Sequence, residues 1–155
     1  LFRSATNALI QRLGLSQTHL RRKMMDHIAA VREQENVATP QELVAVFDLL
    51  HQGKPSPWVA QQALDILKKP KHGFIDRALP NTVTVANKPG WVEGAMCDVA
   101  LVYLPRRPYA VALMTNHSMV SARTQEQFLF TLATTIHESM VNLDRSNRYG
   151  RIVYP

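Results

Sequence analysis

The chain has 155 residues, of which 46% are hydrophobic and 19% are charged, a composition that indicates a folded domain and excludes a disordered chain. No run approaches the roughly 20 apolar residues that a membrane-spanning helix needs. The formal net charge is +6, but the basic residues form short scattered groups without interleaved aromatic residues, which argues against a nucleic-acid partner.

Helical patterns dominate the first half of the chain. Ser4 is typical of a helix cap for residues 5–13, and Gly14 suits the left-handed stop after them. A second helical piece is expected over residues 20–30.

Two stronger helix starts follow, each with a hydroxyl residue directly before a proline. Thr39 begins a helix that should end at Gly53, and Ser56 begins another. The basic stretch 68–73 is expected to be an exit loop.

The second half of the chain changes to the pattern of strands. Val83 and Val85 alternate with smaller or polar residues, which predicts a first strand. Residues 99–103 predict a second strand. Residues 109–115 predict a third, and their almost continuous apolar character favours a central strand that is buried on both faces.

A last helix should begin at Thr124 and carry an apolar stripe that packs on the sheet. The stripe consists of Phe128, Leu132, Ile136 and Met140. Because the three strands follow one another through short turns, the fold class is α+β, with a helical segment, an antiparallel three-stranded meander and a C-terminal helix packed on it.

The six histidines show no pair with metal-ligand spacing on one element, so no metal site is predicted. His117 or His137 could act with Glu138 as a ligand or as an acid–base partner, but solvated surface positions are the favoured interpretation. The sequence predicts no cofactor, and the single Cys97 excludes an internal disulfide.

One short motif carries possible chemistry. The first strand leads into Lys88, Pro89 and Gly90, and a polar turn then leads to the return strand. A solvated hairpin corner explains a lone lysine here, with Trp91 covering the sheet edge. The alternative is that this strand is one wall of an active site.

The surroundings of that motif favour the second interpretation. Residues 83–116 resemble the three-strand region of class A β-lactamase-related serine hydrolases and penicillin-binding proteins, which carry a Lys-Thr-Gly motif at this place. The helical segments that precede the strands in that family look like residues 4–14, 20–26, 35–50 and 56–69. The resemblance implies that residues 1–80 belong to a helical subdomain and residues 81–155 to the C-terminal part of a sheet subdomain.

The resemblance also implies roles for the residues of the motif. Lys88 would give the cleft a positive potential, and the backbone N–H of Trp91 would donate to the oxyanion of an acyl-transfer intermediate. Gly90 would let substrate approach the strand closely, and Pro89 and Glu93 would line the substrate site. The substrate would be a β-lactam or a peptidoglycan-like compound, and the location periplasmic or secreted.

Several family features are missing. The sequence contains no Ser-x-x-Lys pattern, and Leu1-Phe2-Arg3 stands where a Ser-Asp-Asn loop is expected. We therefore expect the chain to be the C-terminal portion of such a protein, completed by an N-terminal segment or by a second chain.

Two departures concern the chemistry directly. Met24 or Met25 stands where the family has a glutamate that activates water, with Asp26 as a possible substitute. Pro89 replaces a threonine or serine whose hydroxyl helps to bind the substrate carboxylate. These departures indicate an esterase-type or peptidase-type hydrolase, or a degenerate member.

Three hypotheses follow. The first is a serine hydrolase that works through an acyl-enzyme, with the nucleophile outside this chain. The second is a non-catalytic fragment or a peptidoglycan-binding module, and the third is a basic nucleic-acid binder. An exposed sheet edge should also make the isolated chain oligomeric or prone to aggregation.

Overall fold

The computed structural model describes residues 2–116 and 118–153. They divide into two compact units, Leu1–Leu43 and Val44–Pro155. None of the helices in the described residues has the length and the apolarity that a membrane crossing requires. The subdomain boundary after residue 80 that the family resemblance implies stays a prediction.

The first unit contains two helices, α1 (Phe2–Arg12) and α2 (His27–Val31). The prediction of a helix over residues 20–30 is therefore wrong for the first half of that range. The backbone N–H groups of Arg21 and Arg22 donate to Asn36 Oδ1 at 2.8 and 2.9 Å, so this stretch satisfies its donors without forming a helix.

Helix α3 (Pro40–His51) begins in the first unit and ends in the second, and helix α4 (Pro57–Leu67) follows it. Both predicted caps are present. The N–H of Glu42 donates to Thr39 Oγ1 at 3.2 Å, and the N–H of Val59 donates to Ser56 Oγ at 3.3 Å. These helices confirm the capping signals, which work because the hydroxyl satisfies a first-turn N–H.

A short helix that the sequence did not predict, α5 (Phe74–Ala78), follows the basic loop. The three strands are β1 (Thr84–Val92), β2 (Ala95–Tyr103) and β3 (Tyr109–Met114). They form an antiparallel sheet in the order β1-β2-β3, which confirms the meander and the α+β class.

The sequence misplaced the central strand. It is β2, in which every residue from Asp98 to Val102 is buried, whereas only Tyr109 and Leu113 of β3 are buried. The apolar run of β3 therefore did not predict burial on both faces, and such a run does not show which strand has two neighbours.

Helix α6 (Ala122–Asp144) begins two residues before the expected Thr124, because Ser121 caps it and accepts the N–H of Thr124 at 3.2 Å. Phe128 is 62% exposed, so its place in the predicted stripe is wrong. Leu129 and Ala133 are buried instead, with Leu132, Ile136 and Met140 packed beside them. A strict four-residue spacing drifts around a helix of 3.6 residues per turn, and Phe128 is the member of the stripe that has turned away from the core.

The main core lies between α5, the sheet and α6, and all of it belongs to the second unit. Its buried members are Phe74, Ile75, Leu79, Ala100, Val102, Leu104, Tyr109, Leu113, Leu129 and Ala133. This core covers the face of the sheet that carries the even-numbered residues of β2.

His137 is part of this buried layer, so the expectation that it is a solvated surface residue is wrong. Its Nδ1 lies 3.1 Å from Tyr109 Oη in a buried hydrogen bond. Burial raises the pKa of Tyr109 to about 12 and lowers the pKa of His137. The Tyr109–His137 pair is therefore part of the packed core. His117 lies outside the described residues.

Candidate active site

The motif that the sequence singled out lies inside a strand and not at its end. β1 continues four residues beyond Lys88, and Lys88, Pro89 and Gly90 pair with Val99, Asp98 and Cys97 of β2. The turn consists of Glu93 and Gly94, and the φ of 76° at Gly94 is one that glycine adopts without strain. Glu93 is exposed there.

Alternation along β1 separates the motif between the two faces of the sheet. Lys88 and Gly90 share one face, whereas Pro89 and Trp91 share the face that is covered by α5 and α6. The Lys88 side chain is exposed, and its ammonium donates to the carbonyl of Pro89 at 2.5 Å. This contact folds the cation back along its own strand.

The backbone of Trp91 points away from β2. Its cross-strand partner Met96 uses both of its backbone groups on the opposite side, because Met96 N–H donates to Thr115 Oγ1 at 3.0 Å and Met96 O accepts from Thr115 N–H at 2.7 Å. In an antiparallel ladder the N–H and C=O of one residue point to the same side. The Trp91 N–H therefore faces the edge of β1 that has no strand beside it among the described residues.

The same alternation explains how β1 tolerates Pro89. Pro89 lies two residues before Trp91 and so presents its nitrogen to the same unpaired edge. Proline has no N–H to donate, and such an edge position loses no ladder hydrogen bond.

A buried polar cluster lies directly beneath the motif, and the sequence analysis missed it. Asp98 is 0% exposed and Asn87 is 1% exposed. The amide of Asn87 donates to both carboxylate oxygens of Asp98 at 3.1 and 3.2 Å, and the N–H of Ile75 donates to Asp98 Oδ2 at 3.0 Å. The signal was available, because an aspartate in the middle of an apolar strand needs partners.

Burial dominates the electrostatics of this cluster. It raises the pKa of Asp98 to about 6, although the hydrogen bonds from Ile75 and Asn87 oppose the shift. Burial also raises the pKa of Asp76, whose Oδ1 is buried without a hydrogen-bond partner among the described residues. Burial thus makes both carboxyl groups beneath the strand weaker acids than usual.

Gly73 is required where this cluster meets α5. A Cβ at Gly73 would lie 2.3 Å from Asn87 Nδ2, 2.5 Å from Asp98 Oδ2 and 2.8 Å from Asp76 Oδ1. A Cβ carbon essentially never approaches non-bonded atoms this closely, so only glycine leaves room for the cluster in this arrangement.

A cavity of about 370 Å³ opens beside the motif, on the face that carries Pro89 and Trp91. Its lining comes from the β1–β2 hairpin, α5, the two residues before α5 and the start of α6. The lining residues are His72, Gly73, Phe74, Arg77, Pro89, Gly90, Trp91, Met96, Cys97, Ala122 and Glu126. The cavity is therefore built entirely within the second unit.

The structure offers no activated thiol in this cavity. Cys97 is half-buried, and burial raises its pKa, so little thiolate exists at neutral pH. In residues 2–116 and 118–153, no three His, Cys, Asp or Glu side chains gather in a way that could hold a metal ion.

In the first unit, Asp26, the possible substitute for the family's water-activating glutamate, acts as a helix cap. Asp26 Oδ1 accepts the N–H of Ala29 at 3.0 Å at the start of α2. Met24 and Met25 are 79% and 76% exposed. None of the three is held by a hydrogen-bond network of the kind that orients a general base.

Solved structures share this fold. The class A beta-lactamase of the last common ancestor of Gram-negative bacteria is 28% identical to this chain, with a TM-score of 0.77. The match covers 89% of this chain and 55% of that one. The TLA-1 extended-spectrum beta-lactamase is 18% identical with a TM-score of 0.80, covering 90% and 55%. The L158E mutant of PBP-A, solved as an acyl-enzyme complex with penicillin G, is 20% identical with a TM-score of 0.76, covering 89% and 51%.

These likenesses define a chain with a partial class A beta-lactamase fold, which spans about half the length of the structures it matches. The model of the beta-lactamase enzyme family matches residues 3–140. The chain belongs to this family. None of the curated proteins matches the sequence significantly.

The buried carboxyl of Asp98 predicts a pH-dependent stability. Because its pKa is about 6 in the folded state and 3.8 ordinarily, its contribution to stability is present below pH 3.8 and is lost as the pH rises through 6. The quantity to compare is the difference in the free energy of unfolding between the wild type and Asp98→Asn. This difference should fall by on the order of 2 kcal/mol between pH 4 and pH 7.5. Urea unfolding at each pH measures this difference.

Asp65→Asn, which removes an exposed carboxylate on α4, is the matched control for that series. A wild-type minus Asp98→Asn difference that stays constant across the pH range would contradict the assignment.

Filling the space at Gly73 should be costly. Gly73→Ala forces three polar groups apart, and we expect a loss of about 3 kcal/mol in the free energy of unfolding. Gly90→Ala is the graded comparison, since its Cβ would meet only Cys97 Sγ, at 3.1 Å. Chemical denaturation of both variants should give the larger loss for Gly73→Ala, and equal losses would show that the cluster yields easily.

Proposed function

We propose that this chain forms the lysine-bearing wall of a serine hydrolase that cleaves β-lactam or related acyl substrates through an acyl-enzyme. The observation that carries the proposal is the direction of the Trp91 N–H, which faces the unpaired edge of β1 three residues after Lys88. An extended substrate at that edge would meet a backbone donor and a cation on the same strand. Family membership supports the reaction class.

Each residue of the motif has a defined part in the proposed reaction. A serine oxygen attacks the acyl carbonyl, the Trp91 N–H stabilises the resulting oxyanion, and the carbon–nitrogen bond breaks as the leaving nitrogen gains a proton. Lys88 supplies positive potential at the same edge, and Gly90 has no side chain that would keep substrate away from the strand on the face that it shares with Lys88. Water then hydrolyses the acyl ester.

The nucleophile in this proposal comes from outside residues 1–155, because the sequence contains no Ser-x-x-Lys pattern. An N-terminal segment or a second chain would supply it. Neither metal nor cofactor enters the mechanism. In line with the family, we place the protein in the periplasm or outside the cell.

Two observations favour a second candidate, a β-lactamase-like module that binds acyl or peptidoglycan-like ligands without turnover. Pro89 has neither the hydroxyl nor the N–H that would hold a substrate carboxylate. Asp26 is engaged as a helix cap, and the neighbouring methionines cannot activate water. Such a site would bind, but it would deacylate poorly or not at all.

A fluorescent penicillin tests the first candidate. The probe is incubated with the 155-residue chain and with a polypeptide that also contains the residues encoded immediately upstream. We expect covalent labelling only of the longer polypeptide, and a loss of about 100-fold in labelling rate for Lys88→Ala, since the cation acts at the developing charge. Lys69→Ala, at another exposed lysine, is the matched control.

Absence of labelling from both polypeptides would overturn the hydrolase proposal. Saturable binding without a covalent adduct would then favour the non-catalytic module.

The role of the Trp91 N–H has a separate test. Trp91→Pro removes the donor, while Trp91→Ala removes the ring but keeps the N–H. Because this N–H faces the unpaired edge, proline should cost no ladder hydrogen bond. In the longer polypeptide we expect acylation by the penicillin to be 100-fold to 1,000-fold slower for Trp91→Pro than for Trp91→Ala, on the order found for loss of one oxyanion donor. Equal rates in the two variants would remove Trp91 from the proposed oxyanion site.

A further inference from the structure

The cavity beside β1 has a chemistry that the roles of Lys88 and Trp91 do not explain. Its volume of about 370 Å³ falls within the range of small-molecule sites. Phe74 and Met96 supply apolar walls, and Pro89 brings its ring to the same side of the strand. The motif strand is thus bordered by an apolar chamber.

The charged groups of this chamber neutralise one another. Arg77 and Glu126 form an ion pair across it, from α5 to α6. The Nε of Arg77 also donates to the carbonyl of Gly73 at 2.7 Å. The guanidinium thus donates to a carbonyl and to a carboxylate, and the ion pair that it forms with Glu126 has no net charge.

The lysine of the motif is directed elsewhere. Lys88 lies on the opposite face of β1 from Pro89 and Trp91, and it is not among the residues that line the cavity. His72 is the remaining lining side chain that can carry a positive charge. A ligand group in the chamber thus meets mainly carbon and a neutralised ion pair.

Trp91 gives the chamber an open aromatic wall. The residue is 69% exposed although it borders a cavity, so the ring is available to a ligand. Aromatic rings attract one another in offset or edge-to-face arrangements, beyond the effect of the area that they bury. An exposed indole at the mouth of an apolar chamber is an arrangement suited to stacking.

We propose that this chamber binds an uncharged aromatic group of the substrate, on the side of β1 opposite Lys88. The inference rests on the proposed function, since it names the substrate class of the same site: acyl compounds that carry a neutral ring, and not a carboxylate, next to Pro89 and Trp91. Its own evidence is the ion-paired lining and the exposed indole.

Benzamide and benzoate test the inference, because they share one shape and differ in charge. The 155-residue chain is titrated with each in 0.5 M NaCl, which screens the general attraction of a chain with net charge +6 for anions. Ligand relaxation measured by NMR gives the dissociation constants, and the two indole N–H resonances report location. We expect benzamide to bind at least 10-fold more tightly than benzoate and to shift Trp91 but not Trp58.

Three variants separate this site from general adhesion. Trp91→Ala should weaken benzamide binding at least 10-fold. Trp58→Ala is the matched control, since Trp58 is 73% exposed on α4 and does not line the cavity, and it should change nothing. Glu126→Gln should release Arg77 and improve benzoate binding at least fivefold relative to benzamide.

Tighter binding of benzoate by the wild type, equal shifts of the two indoles, or no response to Glu126→Gln would each overturn the inference. Binding of benzamide is reversible and needs no nucleophile, so it is independent of penicillin labelling. Penicillin labelling without benzamide binding would contradict the proposed chamber and leave the hydrolase proposal standing. Benzamide binding without labelling would contradict the hydrolase proposal and leave the chamber standing.

Discussion

The hydrogen bonds that hold Asp98 beneath β1 are the constraint on which the second unit depends. Asp98 lies in the middle of the central strand, and it receives donors from Asn87 on the neighbouring strand and from Ile75 at the start of α5. A fully buried carboxyl without these partners would cost several kcal/mol. The sheet and α5 can therefore bury their common core only in the arrangement that keeps all three groups together.

The same cluster determines which way the motif points. Sliding β1 by one residue against β2 would move every side chain of β1 to the other face. Asn87 would then leave Asp98, and Lys88 would enter the apolar layer between the sheet and α6. The cost of both changes holds the register in which Lys88 is exposed and the Trp91 N–H faces the unpaired edge. The position of the proposed site thus follows from an aspartate that is buried beneath the strand.

Local chemistry explains which parts of the fold could be predicted from the sequence. The starts of α3 and α4 were predictable because Thr39 and Ser56 satisfy donors a few residues away. The meander was predictable from the strand patterns and short connections. By contrast, α5 has only five residues, and the burial of Leu129 in place of Phe128 depends on how α6 rotates against the sheet. That rotation is decided by tertiary packing, which a spacing pattern does not contain.

The candidate site divides in the same way. The family resemblance identified Lys88, Gly90 and Trp91 as a group, but the partition of the motif between two faces required the register of β1 against β2. The cavity was not predictable, since its lining comes from four segments that only the folded chain brings together. Gly73 likewise has no sequence signal of its own, because its neighbours Asn87 and Asp98 are 14 and 25 residues away.

An exposed lysine and a proline on an edge strand have a simpler explanation, which is protection of that edge against pairing with another chain. Pro89 blocks a ladder hydrogen bond at its position, and Lys88 places a charge beside it. This explanation accounts for both residues, yet it requires neither an exposed tryptophan nor an apolar chamber behind the same strand. Protection would be stronger with a polar residue in place of Trp91, whose ring adds apolar surface at the edge. The indole is therefore the residue that edge protection leaves unexplained and that ligand binding would explain.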